Sequence, residues 1–377
     1  MWTLYWSVTI LLPPCLLMAL PLPLLRPEDD RLEFAKKYLE SFYRFKPNSG
    51  IRQRRMTEMD TFQDKLKEMQ RFFGLQETGE LTSCTLDAMR KPRCGLSDVE
   101  TFEDTVKWKN KHLTYSIANS SPAVRSSKVR RAVKKAWRLW SNFTPLRFLQ
   151  RQGKEADIMI SFKTGDHEDN FAFDGNGGIL AHAFQPGDGI GGDVHFDEEE
   201  RWTMNSSGIN LFAVAAHEFG HALGLPHSSD PGAIMHPAYN FVRINEFGLS
   251  YNDVQSIQKM YGVNPDVRAM SRLRLPPKTP EKCDPGLSFD AVMTMQQEMV
   301  FFKDRFMWRT HPNFDQVGIT LITSLWSAVP SNIDAAYETS ENTILFFKVL
   351  GSAAAGCLAW IPKGPLYVWV SQRSENN

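Results

Sequence analysis

The 377-residue chain carries 43 Lys+Arg against 43 Asp+Glu, with 42% apolar and 23% charged residues. That is an ordinary globular mixture, long enough for two or three domains of about 100–200 residues each. The balanced charge argues against nucleic acid or an anionic membrane as the main partner, and five cysteines are too few for a disulfide scaffold.

Residues 1–21 are apolar and give way to the charged run RPEDDR. They read as a secretory signal, cut near Ala19–Leu22, which implies a secreted, extracellular protein. Pro13 and Pro14 split the run, so neither part reaches the roughly 20 residues of a membrane span, and no stable membrane anchor is expected. Cys15 leaves with the signal, and Cys84, Cys94, Cys283 and Cys357 remain. Asn119, Asn142 and Asn205 head Asn-x-Ser/Thr triplets, compatible with a secreted glycoprotein.

From about residue 27 to 98, "RLEFAKKYLESFYRF", "FQDKLKEMQRFFGL" and "LTSCTLDAMRKP" predict three helices, the first two from apolar residues at three-to-four spacing. "KPNSGIRQRRMTE" between the first two reads as an exposed loop, either simply solvated or a bait for proteases. From about 104 to 262, "HLTYSI", "PLRFLQ", "DIMISF" and "GILAHAF" are strand candidates. "SSKVRRAVKKAWRLWSN" is an amphipathic helix with Val129, Val133, Ala136, Trp137 and Trp140 on one face. "GINLFAVAAHEFGHALGL" is apolar nearly all round and predicts a buried helix. "SYNDVQSIQKMYG" has Ser250 and Asp253 at capping-box spacing and Gly262 as a stop. Residues 263–282 are proline-rich and basic and read as a linker. "FDAVMTMQQEMVFFK" and "IDAAYETSENTILFFK" are two copies of one repeat at a propeller-blade period, fewer than a closed propeller needs.

His217 and His221 stand four apart, on one face of a helix. Gly224 permits a break that brings His227 round as a third ligand. Three neutral imidazoles suit Zn²⁺ and leave a position for water. Glu218 cannot share the ligand face and is placed as general base for that water, whose pKa zinc lowers to about 7. The pattern HExxHxxGxxH with a downstream methionine, Met235, is that of the metzincins. A second cluster precedes the helix: His167, His182 and His195, with Asp169, Asp174, Asp193, Asp197 and Glu200 close by. Three imidazoles and one carboxylate close a structural zinc site, and glycine-rich acidic turns supply the hard oxygens that Ca²⁺ takes.

With "PRCG", "DHEDNFAFDG", "GGDVHFD" and "HEFGHALGLPHSSDPGAIM", the chain resembles a secreted matrix metalloproteinase with an apparently truncated hemopexin-like domain. The resemblance implies an α+β multidomain chain: a helical pro-domain, a metzincin catalytic domain with a mixed twisted sheet plus three helices, and a partial β-propeller-like C-terminal region. It divides the chain into a signal (1–21), a pro-domain with cysteine switch (22–100), a zinc metalloproteinase catalytic domain (101–262), a hinge (263–282), partial hemopexin-like repeats (283–348) and a divergent tail (349–377). It implies a latent zinc endopeptidase that acts on extended polypeptides of the extracellular matrix, with activating proteases and tissue inhibitors of metalloproteinases as partners and no nucleic acid. The alternative is a non-proteolytic secreted variant that only binds matrix or inhibitors.

Carried over by position, His217, His221 and His227 match the catalytic-zinc ligands, Glu218 the base and Met235 the turn beneath the zinc. His167, Asp169, His182 and His195 match the structural-zinc ligands. Asp174, Gly175, Gly177, Ile179, Asp197 and Glu200 match one calcium site, and Asp157, Gly189, Gly191 and Asp193 another. A third calcium site has Ala123 where the family uses an acid, so two or three Ca²⁺ accompany two Zn²⁺. Gly178–Ala183, including Leu180 and Ala181, resembles the edge strand that pairs with substrate. Ala213 falls on the wall of the main specificity pocket, and a small residue there implies room for a large apolar side chain. His236 stands where an aromatic ring is common.

Cys94 matches the cysteine that occupies the catalytic zinc in the latent form, where a thiolate displaces water. The family continues with Val-Pro-Asp or Asn-Pro-Asp, whereas this chain has Leu96-Ser97-Asp98. Arg93 and Asp98 are expected to pair. The missing proline loosens the backbone, so higher basal activity is expected than in Ser97→Pro. Cys84 is expected to be a buried small residue, or else a disulfide partner of Cys94.

Overall fold

The computed structural model describes residues 27–46, 54–100, 106–152, 155–205, 208–240, 246–266, 278–281, 283–311, 314–340, 343–350 and 366–372. The expected signal, most of the basic loop (47–53), the centre of the hinge (267–277) and Cys357 lie outside the described residues.

The N-terminal unit has three helices: α1 (Pro27–Tyr43), α2 (Arg54–Phe72) and α3 (Ser83–Met89). Helix α2 begins at Arg54, so the second half of the expected loop is helical. Its Arg, Met and Glu residues are good helix formers even without an apolar stripe. Tyr38, Leu39, Phe42, Leu66 and Met69 are buried in the shared core. Helix α3 is capped by Thr82 and turns Thr85, Leu86, Ala88 and Met89 inward. That rotation corrects the expectation for Cys84, which is exposed; Cys84 and Cys94 are both free thiols.

The chain then enters the cleft of the next unit as a two-residue strand, β1 (Arg93–Cys94). There follow β2 (His112–Ile117), α4 (Ser126–Phe143), β3 (Arg147–Gln150), β4 (Ile158–Lys163), β5 (Ile179–Ala183) and β6 (Val194–Asp197). A short pair, β7 (Trp202–Thr203) and β8 (Ile209–Asn210), leads to α5 (Leu211–Ala222), and α6 (Tyr251–Tyr261) completes the unit. The main sheet runs β1-β5-β6-β4-β2-β3. Strand β5 is antiparallel to β6, and the other pairings are parallel. The fold is therefore the expected α+β arrangement with a mixed sheet.

Helix α4 lays its apolar stripe on α5. Trp137 stacks on Phe219, with ring centroids 3.7 Å apart and planes 9° apart. The Trp140 indole N–H donates to the Ala216 carbonyl at 3.0 Å, which satisfies the polar end of a fully buried ring. Helix α5 is buried along its whole length, as its all-round apolar sequence requires. Asn210 caps it by accepting from the N–H groups of Phe212 and Ala213.

The C-terminal region holds an antiparallel sheet of β9 (Ala291–Met295), β10 (Glu298–Lys303), β11 (Phe306–His311) and β12 (Phe314–Leu321). After α7 (Ile322–Leu325) come β13 (Ala335–Glu338), β14 (Ile344–Leu350) and β15 (Leu366–Gln372). The two sequence repeats form matching hairpins, β9–β10 and β13–β14. Strand β15, from the divergent tail, pairs with β14 in parallel, a pairing with no counterpart in the first repeat. Among the described residues no helix is long and apolar enough to cross a membrane.

Candidate metal centre and cleft

The His217 and His221 rings are oriented by their Nδ1–H groups. His217 donates to the Ile234 carbonyl at 2.6 Å and His221 to the Leu225 carbonyl at 2.7 Å. These bonds assign the lone pairs to Nε2, and the two Nε2 atoms face each other at 3.1 Å. The chain reverses at Gly224, where φ is +94° and a Cβ would sit 2.1 Å from the Val106 carbonyl oxygen. That turn brings in His227, whose Nε2 has no hydrogen-bond partner among the described residues. One donor atom from each of Cys94, His217, His221 and His227 lies within 4.8 Å of the others.

This donor set fits a zinc ion. Burial pushes His217 down to about 3 and His221 well below its ordinary value, so both rings are neutral ligands. Two lone pairs pointed at each other, an unpartnered imidazole nitrogen and a thiol with soft sulfur make a poor protein interior and a good tetrahedral site. Glu218 is fully buried, and burial raises it to about 8. Its Oε2 accepts from Cys94 Sγ at 3.5 Å, and its Oε1 has no partner among the described residues. Burial, then the nearby Glu218, raises the Cys94 thiol well above its usual range.

Met235 lies beneath this helix, and a Cβ on Gly220 would come 2.2 Å from its sulfur. The loop is held by Asp253, whose carboxylate accepts from the N–H groups of Ile234 at 2.8 Å and Met235 at 3.3 Å. It also closes the capping box with Ser250. Spacing alone reveals the cap but not the reach to residue 234. Asp253→Ala removes several charge-assisted bonds to buried N–H groups, each worth about 1.5–3 kcal/mol. We expect it to lower the denaturant midpoint of the latent chain, followed by tryptophan fluorescence, by several kcal/mol equivalent (roughly 3 or more). An unchanged midpoint would remove Asp253 from this role.

The segment carrying Cys94 is clasped on both sides. Arg93 N–H donates to the Gly178 carbonyl at 2.8 Å and Gly95 N–H to the Ala181 carbonyl at 2.8 Å, along β5. On the other wall Cys94 N–H donates to the Pro237 carbonyl at 3.0 Å, and Tyr239 N–H to the Pro92 carbonyl at 2.7 Å. Leu180 and Ala213 line the adjoining cleft, and Arg305, Leu321 and Thr323 reach its rim from the C-terminal region. Ala181 is buried in β5. Arg305 Nη2 also donates to the Gly232 carbonyl at 2.7 Å. No feature of local sequence announces that contact.

Arg93 and Asp98 form a buried two-point pair, Nη2 to Oδ1 at 2.6 Å and Nη1 to Oδ2 at 3.1 Å. The guanidinium stacks 3.6 Å above the Phe42 ring and donates to the Tyr38 hydroxyl. Asp98 Oδ1 also lies 2.8 Å from His227 Nδ1. Against the penalty of burial, Arg93 and His227 hold the Asp98 carboxyl below the usual carboxylate range. Tyr38 and Phe42 escaped the sequence reading, although their spacing of four puts them on one helical face.

The Ser97 hydroxyl donates to the Phe42 carbonyl at 3.1 Å, an anchor that proline at this position could not supply. Ser97→Ala should weaken the clasp by about 0.5–1.5 kcal/mol. The unprocessed chain should then show up to about tenfold more peptide turnover, and equal turnover would discard the anchor.

In the second cluster a single oxygen, Asp169 Oδ2, lies 2.8 Å from His167 Nε2, 2.8 Å from His182 Nε2 and 2.6 Å from His195 Nδ1. His182 and His195 present nitrogens 3.2 Å apart, and burial lowers His182 to about 4. Three imidazoles gathered on one carboxylate oxygen fit a second closed zinc site. Beside it, Glu200 Oε1 accepts from Gly177 N–H at 2.6 Å, and Asp174 Oδ1 from Ile179 N–H at 2.9 Å. Buried Asp197 keeps Oδ2 unpartnered among the described residues. Burial raises both Asp197 and Glu200, as expected where acids gather without a base. Gly175, with φ +84°, turns this loop. The set suits a hard cation.

The other proposed calcium residues are less gathered. Asp157 accepts from both N–H and hydroxyl of Thr114, at 2.6 and 2.7 Å. Asp193 accepts from Met159 N–H at 2.8 Å, and burial raises it to about 6. Gly189 and Gly191 lie in the turn before it, and a Cβ on Gly191 would sit 2.5 Å from the Gly187 backbone. Ala123 is exposed.

Residues 107–262 match the Matrixin family, residues 289–331 the Hemopexin family, and residues 28–89 the family described as a putative peptidoglycan binding domain. The chain is 48% identical to the neutrophil collagenase of Homo sapiens over 312 residues, 82% of this chain and 66% of that protein. It is 45% identical to the matrix metalloproteinase-18 of Xenopus laevis over 326 residues, 85% and 69% of the two chains. It is 46% identical to the interstitial collagenase of Bos taurus over 325 residues, 85% and 68%. The chain thus spans about two thirds of the length of these relatives.

Proposed function

The chain belongs to the matrix metalloproteinase (matrixin) family of zinc metalloendopeptidases, and from that premise we propose that it is a secreted, latent endopeptidase of extracellular-matrix proteins. The observation that carries this reading is the meeting of Cys94, His217, His221 and His227 within 4.8 Å of one another, with Glu218 against the cysteine sulfur. His217, His221 and His227 would hold the catalytic zinc, and Cys94 would complete its shell in the latent form. When bound, zinc supplies Lewis acidity toward a peptide carbonyl and acidifies water to a pKa of about 7. Glu218 Oε2, freed from the sulfur, would take up the proton of the attacking water and return it to the leaving nitrogen. The N–H and C=O groups of Gly178–Ala183 and the carbonyl of Pro237 would position an extended substrate backbone. Leu180 and Ala213 would receive a large apolar side chain. Met235 would support the zinc-binding helix from below.

His167, Asp169, His182 and His195 would hold a structural zinc. Asp174, Gly175, Gly177, Ile179, Asp197 and Glu200 would hold one calcium, and Asp157, Gly189, Gly191 and Asp193 a second. The relatives named as collagenases support fibrous matrix protein as the substrate class, with pro-segment cleavage by other proteases as the activating event and tissue inhibitors of metalloproteinases as partners. We place the pro-domain at 22–100, the catalytic domain at 101–262 and the hemopexin-like repeats at 283–348, joined by a hinge.

The test is to express the full chain, remove the pro-segment with trypsin or an organomercurial, and assay a fluorogenic peptide with and without chelator. Chelator-sensitive cleavage that appears only after processing is expected. A folded, zinc-loaded product that cleaves nothing would favour the non-proteolytic binding reading.

A further inference from the structure

Helix α4 shows solvent a face of one charge. From Lys128 to Arg138 six positions are exposed, and all six are basic: Lys128, Arg130, Arg131, Lys134, Lys135 and Arg138. The N-cap residue Arg125 is exposed too, and its side chain makes no capping bond. The helix contains no acidic residue. None of these seven side chains has a carboxylate partner among the described residues; Lys135 Nζ lies 4.0 Å above the Phe212 ring. At about 1.5 Å per residue the charges span about 20 Å, and neighbours three and four apart lie well within a Debye length of about 8 Å. The chain as a whole is balanced at 43 against 43, so this is a local excess rather than general basicity. Repulsion among like charges at these spacings costs the isolated helix stability, and a bound polyanion would reverse the sign of that interaction.

We propose that the outer face of α4 is a docking surface for a linear sulfated polysaccharide. The charge selects a polyanion, and the surroundings narrow its kind. No large apolar side chain of α4 is exposed, so the helix has nothing to insert between lipids. Trp137 and Trp140 are buried, so there is no aromatic platform on which bases could stack. A straight row of guanidinium and ammonium groups suits sulfates repeated along a stiff sugar chain. A shallow hollow of about 230 Å³, lined by Lys128, Arg131, Ala132, Lys135, Met204, Asn210 and Phe212, lies beside the row. The apolar side of α4 packs on α5, and the basic side meets α5 at its first turn, where Lys135 lies over Phe212, about one and a half turns from the first zinc-ligand histidine, His217. This surface is independent of the proteolytic reading.

The test uses the full latent chain and a heparin-derived decasaccharide, titrated by calorimetry at several NaCl concentrations. Binding that weakens steeply with salt is expected, as for any contact that releases counterions. Lys128→Glu/Arg131→Glu should weaken it at least about tenfold and flatten the salt dependence. Arg44→Glu/Lys46→Glu, the same charge change on two exposed residues outside α4, should alter it less than about twofold. Helix content by circular dichroism is to match wild type in both variants. Should the glutamates unfold the helix, Lys128→Gln/Arg131→Gln replaces them, with the same direction expected. The proposal is overturned if wild type does not bind, if both pairs lose affinity equally, or if the desulfated decasaccharide binds as well. It is equally overturned if anionic phospholipid vesicles or single-stranded DNA bind more tightly at the same salt.

Discussion

Glu218→Gln is expected to abolish peptide hydrolysis by the processed chain, with a loss of at least about 10²–10⁴-fold in kcat, the usual worth of a general base. The substitution keeps the volume and leaves His217 and His221 with their anchors on Ile234 and Leu225. Zinc content by atomic spectroscopy should therefore stay near that of the wild type while kcat collapses and KM changes little. The contrast matters because Glu218 is fully buried and has one unpartnered oxygen. A carboxylate kept merely for packing would be improved by an amide, so a Gln variant that is more stable and equally active would sink the assignment. Loss of zinc together with activity would instead move Glu218 to the group that holds the metal.

Cys94→Ser is expected to release activity without cleavage of the chain. The hydroxyl is a far weaker zinc ligand than a thiolate, while the clasp of β1 between β5 and the Pro237–Tyr239 wall is left in place. Uncut Cys94→Ser should turn over a small fluorogenic peptide at least about tenfold faster than the uncut wild type, the equivalent of about 1.4 kcal/mol in the open fraction. Turnover should still rise on processing, because the backbone clasp competes for the cleft. Combining it with Arg93→Ala, which removes the buried pair with Asp98 and the stack on Phe42, should bring the uncut chain close to the processed one. If uncut, folded Cys94→Ser is as silent as wild type, latency rests on the clasp and not on the sulfur.

The parts of the molecule readable from sequence are those set by local spacing. His217 and His221 share a face because they are four apart, and Gly224 announced the turn that delivers His227. The Trp-rich stripe of α4 and the cap at Ser250 follow in the same way from period and position. Other features depend on which distant segments meet. Several acids stood near His167, His182 and His195, and only the fold puts Asp169 Oδ2 against all three rings. Asp253 was visible as a helix cap, but its hold on Ile234 and Met235 joins positions 19 and 18 residues apart. Tyr38 reaches Arg93 across 55 residues. Cys84 faces outward against expectation because a seven-residue helix is too short for periodicity to say which side faces out. The basic face of α4 was in plain view, yet a net charge averaged over 377 residues conceals it.

Strand β5 lies at the border of its domain's own sheet, and among the described residues its outer side is paired with the two residues of β1. Once the pro-segment is cut away, that row of N–H and C=O groups stands open. An open edge welcomes an extended chain of any origin, including the same edge on another molecule. While β1 is seated on β5, that edge is closed to any other strand. The processed protein at high concentration should be the more prone to self-associate, and an extended peptide inhibitor bound along β5 should restore dispersion.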